Sequence, residues 1–176
     1  MIDKIVYICR GGIIRIQNRG NVMLPIHSRL GKQTVMRTSG GKIKVGLGFM
    51  TAPNTYFSSL DGGIMIIGER VIVNRNCIFV CRRRISIGNY CGFGPNVCIY
   101  DHDHKFDFHG KKAGYDYEDV VIGDNCWIGA GVIILKGTNI GEGSIIGAGC
   151  IIKGVIPPHS IVTMNRQLSI REIKDV

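Results

Sequence analysis

This sequence predicts an all-β solenoid, and three observations lead there. Isoleucine recurs every six residues at Ile122, Ile128, Ile134, Ile140, Ile146 and Ile152. Glycine follows directly at Gly123, Gly129, Gly141 and Gly147. The fifth position of each hexad is small or β-branched: Cys126, Val132, Thr138, Ser144, Cys150 and Ile156. Such a period fits neither a helix nor a single strand, so the repeating unit is one short strand plus one corner. The isoleucine and the fifth residue are expected to point inward, with glycine easing the corner backbone. One unit cannot bury its own apolar face, and stacking of successive turns follows.

Taken in chain order, residues 1–44 form a basic N-terminal cap or arm. They hold Lys4, Arg10, Arg15, Arg19, Arg29, Lys32, Arg37, Lys42 and Lys44 against the single acid Asp3, within a net charge of +9 for the whole chain. The bases are interleaved with apolar pairs such as Ile13-Ile14, which favours a solvated end cap over a binding arm, since solenoids need polar terminal coils. Docking to an anionic membrane or a lipid-linked glycan is the other use of such charge. Nucleic acid is not expected, because no helix-turn-helix, zinc-finger or aromatic RNA-binding signature is present.

The solenoid is expected over residues 45–163. A weak hexad begins at Val45-Gly46, and Ile67, Val73 and Phe79 keep the six-residue step. Ile87, Phe93 and Ile99 resume it two residues out of phase, which predicts a bulge or widened corner at Cys81-Arg82-Arg83-Arg84. Residues 164–176 form a C-terminal tail open to helix formation. The apolar runs are too short for a membrane span, and the first residues, broken by charge, lack the apolar stretch of a secretion signal, so the cytoplasm is the expected compartment. Of the seven cysteines, Cys77, Cys91, Cys126 and Cys150 fall on fifth positions, where a thiol serves as a compact hydrophobe. No Cys-x-x-Cys pair occurs, and neither a metal nor a disulfide framework is predicted.

A regular wall offers no place for chemistry, so the interruption at residues 101–119, DHDHKFDFHGKKAGYDYED, is the candidate site. It carries His102, His104 and His109 with Asp101, Asp103 and Asp107. Histidine exchanges its proton near neutral pH, and a flanking carboxylate fixes which ring nitrogen accepts.

The stretch IGDNCWIGAGVIILKGTNIGEGSIIGAGCIIKGVIPPHS resembles the C-terminal coils of the hexapeptide-repeat acyltransferases. IGNYCGFGPNVCIYDHDHKFD is similar to the coil and loop before them in the maltose, galactoside, xenobiotic and capsule or lipopolysaccharide O-acetyltransferases. The likeness covers residues 67–163 well and the first 44 hardly at all. It implies a left-handed parallel β-helix, a homotrimer with active sites between subunits, acetyl-CoA as donor, and a sugar or glycan hydroxyl as acceptor. It also implies roles. His104 is the catalytic base, with His102 in reserve. Asn74, the first asparagine of VNRNCIF, and Asp103 contact the acceptor. Trp127, Ala130, Gly147, Ala148 and Lys153 line the coenzyme, with Ala130 N–H as oxyanion donor. After the double proline this chain reads Thr163-Met164-Asn165-Arg166-Gln167-Leu168, without the family's arginine, which implies either weaker coenzyme binding or that Arg166 and Arg171 take over the coenzyme phosphates. Two other readings compete with O-acetyl transfer. One is a metal-dependent lyase using His102, His104 and His109, and the other is a non-catalytic scaffold docked through its basic end.

Overall fold

The structure, a computed structural model, describes residues 2–165, with side chains from Arg10 onward apart from Lys111. Twenty strands lie in three parallel sheets: seven in sheet A, seven in sheet B and six in sheet C. The chain visits A, B and C in turn, so every coil hydrogen-bonds to the coils above and below it. Three short strands per turn, joined at three corners, give a triangular prism consistent with a left-handed parallel β-helix. We call its edges A–B, B–C and C–A after the sheets they join.

Coil length changes along the prism. In the later coils Trp127 pairs with Ile145 and Ile133 with Ile151, so one turn takes three hexads. In the earlier coils Ile43 pairs with Met65 and Met65 with Ile85, so each turn takes more than three. The wider coils have longer strands at the C–A edge, such as Tyr56–Leu60, Ile64–Ile67, Ile78–Cys81 and Arg84–Ile87. The slip in hexad phase is therefore a lengthening of both strands around the Arg82-Arg83 corner.

The interior follows the hexads. Ile122, Ile128, Ile134, Ile140 and Ile146 are buried, as are the fifth-position residues Cys126, Val132, Thr138, Ser144 and Cys150. Thr138 Oγ1 donates to the Leu135 and Ile152 carbonyls and Ser144 Oγ to the Pro157 carbonyl, so these buried hydroxyls are satisfied. In the wider coils Phe49, Phe57, Phe79 and Phe93 stack edge-to-face with ring centroids 5.1–5.8 Å apart, filling the larger cross-section. Burial pushes the Cys77 thiol up to about 11, and burial together with Asp101 also raises that of Cys81. Both thiols are held in the unreactive form.

Two expectations change. The glycines at second positions are not needed for an unusual backbone conformation. A Cβ on Gly129 would lie 2.7 Å from the Ala148 nitrogen, and one on Gly123 would lie 2.6 Å from the Glu142 nitrogen. Close approach of the next coil is what demands them. Left-handed backbone falls two positions later, at Asn125, Gly131, Gly137, Gly143 and Gly149.

The boundary at 44/45 is also displaced, because it falls inside the strand Lys42–Val45. The first coil begins at Val22, which pairs with Ile43, and residues 22–44 are part of the prism. Ahead of it, Ile2–Gln17 forms an α-helix (α1) across the open end, the one helix among the described residues. Ile14 of α1 is buried there, and Asn18 just beyond it bonds to Ile14 and Met36 carbonyls and accepts from Thr38 N. The cap covers sheet edges that would otherwise invite pairing with another chain. Arg166, Arg171 and most of the 164–176 tail lie outside the described residues.

Candidate active site

Residues 101–119 leave the prism at the C–A edge as a hairpin of His102–Asp107 against Gly110–Tyr117. The coil closes beneath it undisturbed, since Ile85 pairs with Val120 as if nothing intervened. Period-two alternation puts His102 and His104 on one face. Tyr117 lies opposite His102, and Tyr115 lies opposite His104. The register shifts between His104 and Phe106, a bulge immediately after His104. Bulges of this kind re-aim neighbouring side chains.

The root of the hairpin is Asp101, fully buried at 0% exposure. Its carboxylate accepts the backbone N–H groups of Arg82 at 2.9 and 3.0 Å and of Arg83 at 2.7 Å. It also accepts His102 Nδ1 at 2.9 Å. Burial raises this carboxyl, but the bonds from His102, Arg83, Arg82 and Cys81 outweigh it and hold Asp101 below the ordinary carboxylate range. With Asp101 ionised, the His102 proton sits on Nδ1, and Nε2 of the neutral ring is left as an acceptor. The His102 side chain is only 12% exposed, however, so it lies at the base of the hairpin.

His104 lies one turn of the pleat further out. Its ring meets Tyr115 with centroids 4.6 Å apart and a 38° tilt. The Arg82 guanidinium stands 3.8 Å from the centroid of the same Tyr115 ring and pairs with Asp61. Asp61, Arg82, Tyr115 and His104 thus form a continuous chain of contacts from prism to hairpin. Lys136, on the C–A edge below, reaches Asp103 on the first arm of the hairpin at 3.7 Å and Glu118, just past the second arm, at 3.9 Å. Asp103 is exposed, with this lysine as its ionic partner. His109 is at the hairpin tip, its N–H donating to Asp107. Sequence reasoning missed Arg82, Tyr115 and Lys136. The Arg triplet at the phase slip was the available signal, but nothing in the sequence pairs it with a tyrosine so far along the chain.

The remaining sequence-derived residues lie on other edges. Asn74 is exposed on the B–C edge, where its Oδ1 accepts the Arg75 N–H at 2.8 Å, the bond expected of a corner cap. Ala130 and Ala148 are exposed on the same edge, in successive coils, with Gly147 beside Ala148. Trp127 is 52% exposed on the outer face of sheet B, opposite Gly92 of the preceding coil. A Cβ on Gly92 would lie 2.7 Å from the Trp127 ring, so the glycine lets the indole lie flat over the sheet. Lys153 is exposed on the C–A edge. One chain thus carries the hairpin histidines on one edge and the Asn74–Ala130–Ala148 line on another. Among the described residues, no three His, Cys, Asp or Glu side chains are grouped to hold a metal ion.

Prism and repeat define the class as a hexapeptide-repeat β-solenoid. Residues 119–154 match the family described as bacterial transferase hexapeptide (six repeats). A relative from Schizosaccharomyces pombe, named as a candidate acetyltransferase, is 39% identical over 109 residues, covering 61% of this chain and 53% of its own. One from Staphylococcus aureus, named likewise, is 40% identical over 108 residues, covering 61% and 54%. The chain therefore spans about half the length of the curated relatives it matches. Among solved structures, a maltose O-acetyltransferase from Clostridium difficile 630 is 29% identical, with TM-score 0.56, over 86% of this chain and 68% of that one. The N-acyltransferase AntD of Bacillus cereus, solved with dTDP and 3-hydroxybutyryl-CoA, reaches TM-score 0.69 at 16% identity, covering 86% and 81%, a likeness of fold alone. The chain is thus similar to hexapeptide-repeat acetyltransferases through its coils.

Proposed function

We propose that this protein transfers an acetyl group from acetyl-CoA to a hydroxyl of a sugar or polysaccharide precursor, with His104 as general base. The observation that carries the reading is the histidine hairpin, rooted through a buried carboxylate on the edge of a hexapeptide coil. The similarity to a maltose O-acetyltransferase supports the acceptor class. In the reaction, the acceptor oxygen attacks the thioester carbonyl while the His104 imidazole takes its proton. The oxyanion that forms is stabilised by a backbone donor at Ala130. Collapse breaks the carbon–sulfur bond, and the imidazolium returns the proton to the leaving thiolate. The products are the acetyl ester and free coenzyme A thiol, and no metal takes part.

The coenzyme arm would lie along the small residues Ala130, Gly147 and Ala148, with Trp127 beside it and Lys153, Arg166 and Arg171 toward the phosphates. Asn74 and Asp103 would hold the acceptor. Because the hairpin and the Asn74–Ala130 line occupy different edges of one prism, a complete site requires two copies, which supports a homotrimer with sites between subunits. The test is thiol release from acetyl-CoA in the presence of activated sugars and polysaccharide fragments, paired with mass measurement of the assembly. Release that is independent of acceptor, or full activity in a monomer, would refute the reading. The Asp101–His102 bond favours a second assignment of the base, to His102. His102→Ala would then cost more than His104→Ala.

A further inference from the structure

We propose that the N-terminal end face of the solenoid docks on an anionic phospholipid bilayer. The inference is independent of the acetyl-transfer reading and rests on the capping helix and the coils beneath it. α1 packs on the first coil through Ile14, and Asn18, just after the helix, ties this end to the Met36 carbonyl and to Thr38 N. The opposite face of α1 presents Ile13 and Ile16, 54% and 79% exposed. Met23, Ile26 and Leu47, each at least half exposed, lie on the first two coils. A groove between helix and prism has Met23, Leu24 and Pro25 in its lining, with Arg15 and Lys44 as its cations.

Around this apolar end runs a collar of exposed bases: Lys42 and Lys44 on sheet A, Arg29 on sheet B, Arg37 on sheet C, Lys32 on the B–C edge, and Arg19 after the helix. The sequence contains no acid between Asp3 and Asp61, so no acidic side chain from that stretch offsets the collar. An amphipathic helix lying in the plane of a membrane interface has this construction, with apolar residues entering the headgroup boundary and basic residues meeting anionic lipid. Other occupants fit less well. A nucleic acid backbone would leave the exposed isoleucines without partners, and a second copy placed end to end would set one cationic collar against another.

Vesicle flotation of the full chain tests the proposal. The protein is expected to float with vesicles containing phosphatidylglycerol, to stay behind with phosphatidylcholine alone, and to detach as salt is raised. The double variant Ile13→Asp/Ile16→Asp is expected to bind at least about tenfold more weakly while keeping its assembly mass and thiol-release activity. Should that variant fail to fold, Lys42→Glu/Lys44→Glu, on the outer face of sheet A, is expected to weaken binding to a similar degree. Three results would overturn the proposal. They are an absence of flotation at low salt, equal binding by folded charge-reversed and helix variants, and a smaller assembly for the helix variant without vesicles, which would give the face to a second copy.

Discussion

The coils before the hairpin and those after it solve the same packing problem in different ways. After the hairpin, strands of two or three residues and short corners repeat every three hexads until the last turn, where Asn139 pairs with Val155, and the interior is a column of isoleucines alternating with small side chains. Before it, longer coils run in extended strands to the C–A edge, and phenylalanines fill the wider interior. The regular coils supply a smooth wall, and every irregular feature of the candidate site grows from the wider ones. The Arg82-Arg83 corner, its buried ligand Asp101 and the hairpin all belong to the last wide coil or its junction. Regularity builds a smooth surface, and irregularity places the titratable groups.

Four experiments would break or sharpen that contrast. The largest effect is expected at the hairpin. His104→Ala should lower thiol release by about two to four orders of magnitude, the range for loss of a general base, whereas His102→Ala should cost much less. Steady-state kinetics on both variants decides between them. In the wide coils, Phe79→Ala removes the ring that touches both Phe57 and Phe93, and should cost about 3–5 kcal/mol in urea unfolding.

Asp101→Asn is expected to cost about 1–3 kcal/mol at neutral pH, because it weakens a carboxylate bonded to two backbone N–H groups and a histidine. The pH dependence has a definite sign. The folded carboxyl is held below its unfolded value, so its stabilisation is full above about pH 4 and disappears as pH falls through the folded value. The gap between wild type and variant should therefore close in acid, and a gap that widened there would contradict the role given to Asp101. The smallest effect belongs to the regular coils. Cys150→Ala should leave activity unchanged and lower stability by about 1 kcal/mol, while Cys150→Leu should cost roughly 1–3 kcal/mol through overpacking. Iodoacetamide should label Cys150 slowly until urea is added, and rapid native labelling would mean that the hexad register is wrong.

How much was legible in the sequence divides along the same line. Ile122 to Ile152 announce their coils because each strand is as short as a strand can be, leaving the period no slack. Ile43 and Met65 do not, since extra strand residues shift the inward set without changing which sheet it joins. The helix Ile2–Gln17 was read only as a basic cap, because Gly11-Gly12 and Ile5-Val6 obscure its period and its partner is a coil the sequence also hid. The hairpin was located as an interruption with its histidines, but Arg82 and Lys136 come from corners far away in sequence, and no local pattern announces such a contact. Asn74 follows from the likeness of VNRNCIF to a family segment, and its bond to Arg75 N gives an asparagine there a local cause as well.

The unbroken pairing of Ile85 with Val120 has a consequence for how such a molecule can change. A coil that closes beneath its own insertion treats the hairpin as a pendant. Its length, charge and side chains can be rewritten without moving a single strand of the three sheets. Asp101, whose buried carboxylate ends the old coil and starts the new segment, roots it on the Arg82 and Arg83 N–H groups, and the Arg82–Tyr115 and Lys136–Asp103 contacts are side-chain links laid over that root. A descendant that kept this aspartate and exchanged everything up to Asp119 would inherit the same wall and present different side chains beside it. The prism is the conservative half of the protein and the pendant its experimental half, rooted on a buried carboxylate.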